Sequence, residues 1–275
     1  MPLVMRHVAS KRQASDETDK AKAGQRPASQ ETCHEPPRPQ GVAILITFCA
    51  VGAEKEMNMH IEPGIIDPLR VTAANAVALA VVATQLPALI RQPLNLVKAG
   101  LAAAVFSVLM QAWHLPVGPS ELHLIGATTV YLLFGLAPSM VGFALGLLLQ
   151  GSLFEPQDLV HLGVNSLSLM LPLLAVHETF GKRLFAAGVA DRFSFARVLR
   201  IDAVYYAGVS AMVGFWLMIS SDGFALADWG RWALAYAPVF ALEALITFTT
   251  VTVMKTWRNA GALQRFTELG RLSFA

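Results

Sequence analysis

The sequence predicts an all-α polytopic membrane bundle of about seven transmembrane helices, entered from the outside at Met59 and ending in the cytoplasm. Three observations predict it. The chain's 275 residues are 55 % hydrophobic and only 15 % charged, with mean hydropathy +0.51, against about 25 % charged residues in a soluble domain. From residue 66 the apolar runs are continuous and about 20 residues long, the length that crosses a bilayer. Basic residues gather in alternate loops, as the positive-inside rule requires of an oriented bundle. Continuous runs exclude an outer-membrane barrel, whose strands alternate. The net charge of +2 gives no argument for nucleic acid.

Residues 1–58 read as a leader of different material. Residues 1–40 are polar, with Pro36-Pro37-Arg38-Pro39 and no helical or strand period, a composition that cannot bury a core. Residues 41–53 are apolar but too short to span. A signal peptide cut after Ala53 is one account, although its basic region is unusually long. A lipoprotein anchor at Cys49 is weaker, because bulky Phe48 sits where a small residue is wanted. The preferred account is a misplaced start. Glu54-Lys55-Glu56 can be encoded GAG-AAG-GAG, which contains the ribosome-binding string AAGGAG, two codons before Met59. On that account the mature protein begins Met59-His60-Ile61, and bulky His60 keeps the initiator methionine in place.

The spans are expected at 71–90, 96–113, 121–137, 139–154, 159–179, 201–220 and 231–254, with a tight link at Ala137-Pro138-Ser139. Residues 59–255 form the membrane domain and 256–275 a cytoplasmic tail. Loops after odd-numbered spans carry Arg91 and Lys98, then Lys182, Arg183, Arg192, Arg197 and Arg200. The tail adds Lys255, Arg258, Arg265 and Arg271. Loops after even-numbered spans carry no Lys or Arg until Arg231, beside Asp222 and Asp228. Basic loops are cytoplasmic, so Met59, His60, His114, His123 and His161 fall at the outer face, and His177 at the inner one.

The chemistry follows from the start site. In a chain beginning at Met59, the terminal amine, the His60 amide nitrogen and the His60 imidazole close two fused chelate rings on one metal ion. Planar nitrogen coordination suits Ni(II), Cu(II) and, less strictly, Co(II). Both cysteines, Cys33 and Cys49, precede Met59, so the apolar body offers no thiol.

With Met59-His60-Ile61 and Gly64, His114-Leu115-Pro116-Val117-Gly118 leading to Ser120, Leu122 and His123-Leu124-Ile125-Gly126, and Leu162-Gly163-Val164-Asn165, the chain resembles the CbiM/NikM family. These are the substrate-specific membrane components of cobalt and nickel energy-coupling-factor transporters, and the resemblance covers roughly residues 59–255. It implies a seven-span subunit that captures Ni(II) or Co(II) at the outer face. The implied ligands are the Met59 amine, the His60 amide and imidazole, and His123. The chain departs from the family at Glu62-Pro63, where the early acidic position is rearranged, and at Ser168, where a second asparagine is usual. The implied partners are ABC-type ATPase subunits, a transmembrane coupling subunit and a small accessory membrane subunit, in the inner membrane of a bacterium. No cofactor is expected, since the metal is cargo.

Other residues carry two readings each. His114 is either a fourth nitrogen or a donor that orients a ligand, with Glu121 beside the same loop. Asn165 is a hydrogen-bond partner for a loop or ligand histidine, and His161 a helix-end group. Glu243, near the middle of the seventh span, costs about 2.5–3.5 kcal/mol on insertion scales and must face the bundle; it is a cation way-station or a buried helix tie. His177-Glu178 lacks the fifth-position histidine of a zinc-protease helix, because Gly181 stands there. Gly142 and Gly146 mark a helix seam. Ala76 and Ala80 mark a second seam or a docking face for the coupling subunit. Residues 181–200 read as an interfacial amphipathic stretch. No P-loop sequence occurs, so ATP hydrolysis falls to other subunits. The alternatives are a stand-alone cation permease lined by Glu243 and Gln150, and, more remotely, a metal-dependent membrane enzyme using the outer histidines with Glu121.

Overall fold

The computed structural model describes residues 66–117, 120–185, 193–220, 226–257 and 260–272; the leader, Met59 and His60 lie outside them. The chain enters α1 (Pro68–Arg91) through an N-cap at Asp67, whose Oδ1 accepts the Leu69 N–H at 2.9 Å, with Pro68 at the first helical position. Both devices serve a helix start, where backbone N–H groups lack partners. Helix α2 (Leu94–Ala112) follows within three residues. An antiparallel hairpin of β1 (His114–Val117) and β2 (Ser120–His123) comes next, then the short α3 (Ala127–Phe134) and α4 (Leu136–Leu153). A 3₁₀ turn, Pro156–His161, leads into α5 (Leu162–Val176), which continues through a π turn at His177–Gly181 to Leu184. Helices α6 (Phe195–Met218), α7 (Leu226–Thr256) and α8 (Gly261–Phe266) complete the order.

Among the described residues six helices are long and apolar enough to cross a membrane. The third expected span, 121–137, is not one of them. Its first residues are strand β2, and its helix is only the eight residues of α3. Gly126, at φ 62°, and Gly135, at φ 82°, cut that helix at both ends, in a backbone region where a side chain is strained. The break before α4 therefore falls at Gly135 rather than at the expected link over 137–139.

The chain nevertheless crosses a third time. A Cβ built on Gly142 of α4 would meet Ala102 of α2 at 2.6 Å, and one on Gly146 would meet Phe106 at 2.4 Å. Helices α2 and α4 therefore run in the same direction, and the segment between them must return across the bundle. The eight residues of α3 rise about 12 Å, and the chain before them reaches the end of α2, where the Leu124 N–H bonds the Trp113 carbonyl and Gly126 lies against Leu109. Non-helical backbone survives at bilayer depth only when protein encloses it; accordingly Leu122, His123 and all eight residues of α3 are buried.

Seven crossings preserve the orientation. Asn75 of α1 meets Val160 and Gly163 at the start of α5, and the Arg70 guanidinium donates to the Ile219 carbonyl, which brings these ends to one side of the bundle, the side opposite the basic loops. At the inner face the tail docks on α3: the Glu268 N–H donates to the Leu133 carbonyl at 2.7 Å, and Lys98 Nζ lies 2.6 Å from Glu268 Oε1. Lys98, expected as a loop cation, is thus buried in the second turn of α2 and paired. Phe193 and Phe195, expected in an interfacial stretch, pack on Phe248 of α7 at ring distances of 5.5 and 5.7 Å. On α1, Ala74 and Ala78 face inward, while Ala76 and Ala80 are exposed and form no seam within this chain.

Two outcomes are expected. Gly142→Leu forces α2 and α4 apart and lowers stability by about 1–3 kcal/mol, the usual overpacking cost, read as earlier thermal unfolding in detergent. In a cysteine-free chain starting at Met59, Gln157→Cys reacts with an impermeant maleimide in intact cells and Arg183→Cys only after permeabilisation; the reverse pattern inverts the topology.

Candidate metal centre

The hairpin is where two of the candidate histidines meet in the backbone. Its register pairs His114 with His123, Leu115 with Leu122, Pro116 with Glu121 and Val117 with Ser120. Two histidines nine residues apart in the chain thus occupy directly opposite backbone positions. An isolated two-stranded hairpin is barely stable in water, so this one depends on its surroundings. Leu122 is 1 % exposed and His123 4 %, and the Leu124 N–H extends the pairing to the Trp113 carbonyl.

Helix α7 pins the segment that follows. The His123 N–H reaches the Tyr236 hydroxyl at 3.5 Å, and the Gly126 N–H donates to both Glu243 carboxylate oxygens at 3.0 Å. The spacing is commensurate: seven helical residues rise about 10.5 Å, and three extended residues cover about 10 Å. One turn further on, Thr129 and Thr247 hydroxyls bond at 2.7 Å.

Glu243 is 2 % exposed in the bundle interior. Its carboxylate lies at the N-terminal end of α3, where backbone N–H groups and the helix dipole favour negative charge. A hydrogen bond to a charged group stabilises by about 1.5–3 kcal/mol, so the Gly126 N–H, shared between the two oxygens, offsets part of the insertion cost of about 2.5–3.5 kcal/mol. Of its two expected roles, the geometry fits the helix tie. The Tyr206 hydroxyl faces the same carboxylate. Tyr206 lies tilted against Tyr236 at 5.1 Å, and Tyr236 meets Trp232 at 4.9 Å. Asp202 of α6, fully buried and beside Thr128 in the first turn of α3, adds a second carboxylate to that end.

The other expected residues are placed as follows. His161 ends the 3₁₀ turn and Asn165 lies in the first turn of α5, both buried. Their neighbour Asn75, which the sequence reading passed over, holds this corner: its Oδ1 accepts the Gly163 N–H at 2.6 Å and its Nδ2 donates to the Val160 carbonyl at 3.1 Å. His177 lies at the inner end, its Nδ1 2.7 Å from the Tyr131 hydroxyl, a structural contact. Glu121 stands in β2 opposite Pro116. Among the described residues no three His, Cys, Asp or Glu side chains converge as a metal cage.

Comparison with known proteins decides the family. Residues 60–260 match the family described as cobalt uptake substrate-specific transmembrane region, CbiM. The chain belongs to the CbiM family. It is thereby a multi-pass membrane component of metal transport. Two solved structures share the fold: a crystal structure of a transition metal transporter, at TM-score 0.60 and 17 % identity over 76 % of this chain and 97 % of that one, and a truncated transition metal transporter, at TM-score 0.58 and 17 % identity over 72 % and 99 %. No curated protein sequence matches the chain.

Asn75→Ala removes an acceptor and a donor between α1 and α5. The expected cost is about 0.5–1.5 kcal/mol, the net worth of a hydrogen bond, carried mainly by the part-buried Gly163 N–H, and measured as a lowered unfolding midpoint in detergent.

Proposed function

We propose that this chain captures Ni(II) or Co(II) at the outer face of a bacterial inner membrane, as the substrate-specific subunit of an ATP-driven energy-coupling-factor importer. The ligands are the Met59 amine, the His60 amide nitrogen and imidazole, and His123. His114 is the fourth nitrogen or the donor that orients a ligand, and Glu121 and Asn165 support the loops around them. The observation that carries this reading is the hairpin register, which sets His114 opposite His123. The family match over residues 60–260 takes in His60, His114 and His123.

A site built from an α-amine, an amide and imidazoles is made of borderline nitrogen donors, and rejects Mg(II) and Ca(II), which take oxygen. Binding displaces protons from the amine, amide and imidazole, so affinity falls as pH drops below about 6.5. Energy comes from partner ATPase subunits through a coupling membrane subunit, with a small accessory membrane subunit. The chain itself contributes selection and is not an enzyme. A stand-alone permease would need Glu243 on an open route, and that carboxylate is committed to Gly126.

Calorimetric titration of the chain starting at Met59 tests the proposal. Tight Ni(II) or Co(II) binding is expected, and is abolished by one extra residue before Met59 or by His60→Ala. Equal binding by the extended chain contradicts the ligand set.

A further inference from the structure

We propose that Glu243 is a positioning residue for the metal centre: it fixes His123 through the Gly126 backbone and is not itself a station for the cation. This inference rests on the metal-capture reading above. The argument starts from where the His123 backbone can go. The β1 ladder holds the chain as far as Leu124, whose N–H reaches the Trp113 carbonyl at 3.4 Å, and α7 ties the same segment at Tyr236 and Glu243. The upper tie is long, at 3.5 Å, and the lower is a pair of contacts at 3.0 Å, so the carboxylate is the firmer one. Gly126 also opens α3, whose side chains are all buried. At the other end of that helix the Glu268 N–H holds the Leu133 carbonyl. Helix α3 is thus fixed below, and the Glu243 contact decides where its upper end, and the imidazole three residues before it, stand. A Cβ on Gly126 would meet Leu109 Cδ1 at 2.1 Å, so this approach of backbone to bundle leaves no room to shift. Tyr206, Tyr205, Tyr236 and Asp202 surround the carboxylate, and the groups that meet it directly include the Tyr206 hydroxyl and the Gly126 N–H.

The test is a double-mutant cycle on the chain starting at Met59, in detergent, with Ni(II) alone as titrant. Glu243→Ala is expected to weaken Ni(II) binding by about 10–100-fold, the usual loss when the partner of a ligand is removed. Glu243→Gln is expected between the two, since its amide oxygen still accepts one N–H. Combined with His123→Ala, neither Glu243 substitution weakens binding further than His123→Ala alone, because the placement of an absent ligand costs nothing. Multiplying penalties overturn the inference, as does wild-type affinity in Glu243→Ala or in His123→Ala. Loss of uptake with unchanged affinity also overturns it, in favour of a way-station. If Glu243→Ala does not fold, the Glu243→Gln cycle decides alone. Failure of the unsubstituted chain to bind Ni(II) sinks the capture reading instead.

Discussion

A carboxylate in the middle of a membrane helix is tolerated only when something answers it, and here the Gly126 N–H does, at 3.0 Å from both Glu243 oxygens. The constraint runs in both directions. Helix α3 begins inside the bundle, so its first N–H groups have no water to bond. Glu243 supplies the acceptor that α3 lacks, and α3 supplies the positive end that the carboxylate needs. Strand β2, the loop after it and α3 can then cross together where a full helix would otherwise stand. Without that tie the extended half of the crossing would carry unsatisfied backbone at bilayer depth.

The third crossing explains why the outer histidines sit where they do. A full helix over 121–137 would have ended the outer loop near residue 120 and left His123 within the first turn of a span. The extended segment instead lets the chain pair back on itself, setting His114 across from His123. The seam of Gly142 and Gly146 with Ala102 and Phe106 does the complementary work. By bringing α2 and α4 together as parallel neighbours, it leaves the interior slot that β2 and α3 occupy.

Much of this was legible in the sequence, and the misses have physical causes. Six helices fall where hydropathy places them, and the loop charges give the orientation. The third span was misread because an apolar run looks alike as a buried strand and as a buried helix. Pro116, Gly118 and Pro119 signalled the turn, and Gly126 and Gly135 were the local marks of a broken helix. Asp202 escaped notice because the sixth span was expected from residue 201, leaving it at an edge. The helix begins at Phe195, which puts Asp202 two turns in and buries it completely. His123 and Glu243 were each singled out, but their connection joins residues 120 apart and no local pattern carries it. Asn75 was missed for the same reason, since its partners are more than 80 residues away.

The most direct measurement is X-ray absorption at the nickel edge on the loaded chain that starts at Met59. The account predicts a nitrogen-only shell with imidazole scattering, and one imidazole fewer when His123 is replaced by alanine. An oxygen-dominated shell, or a spectrum indifferent to that replacement, would contradict it.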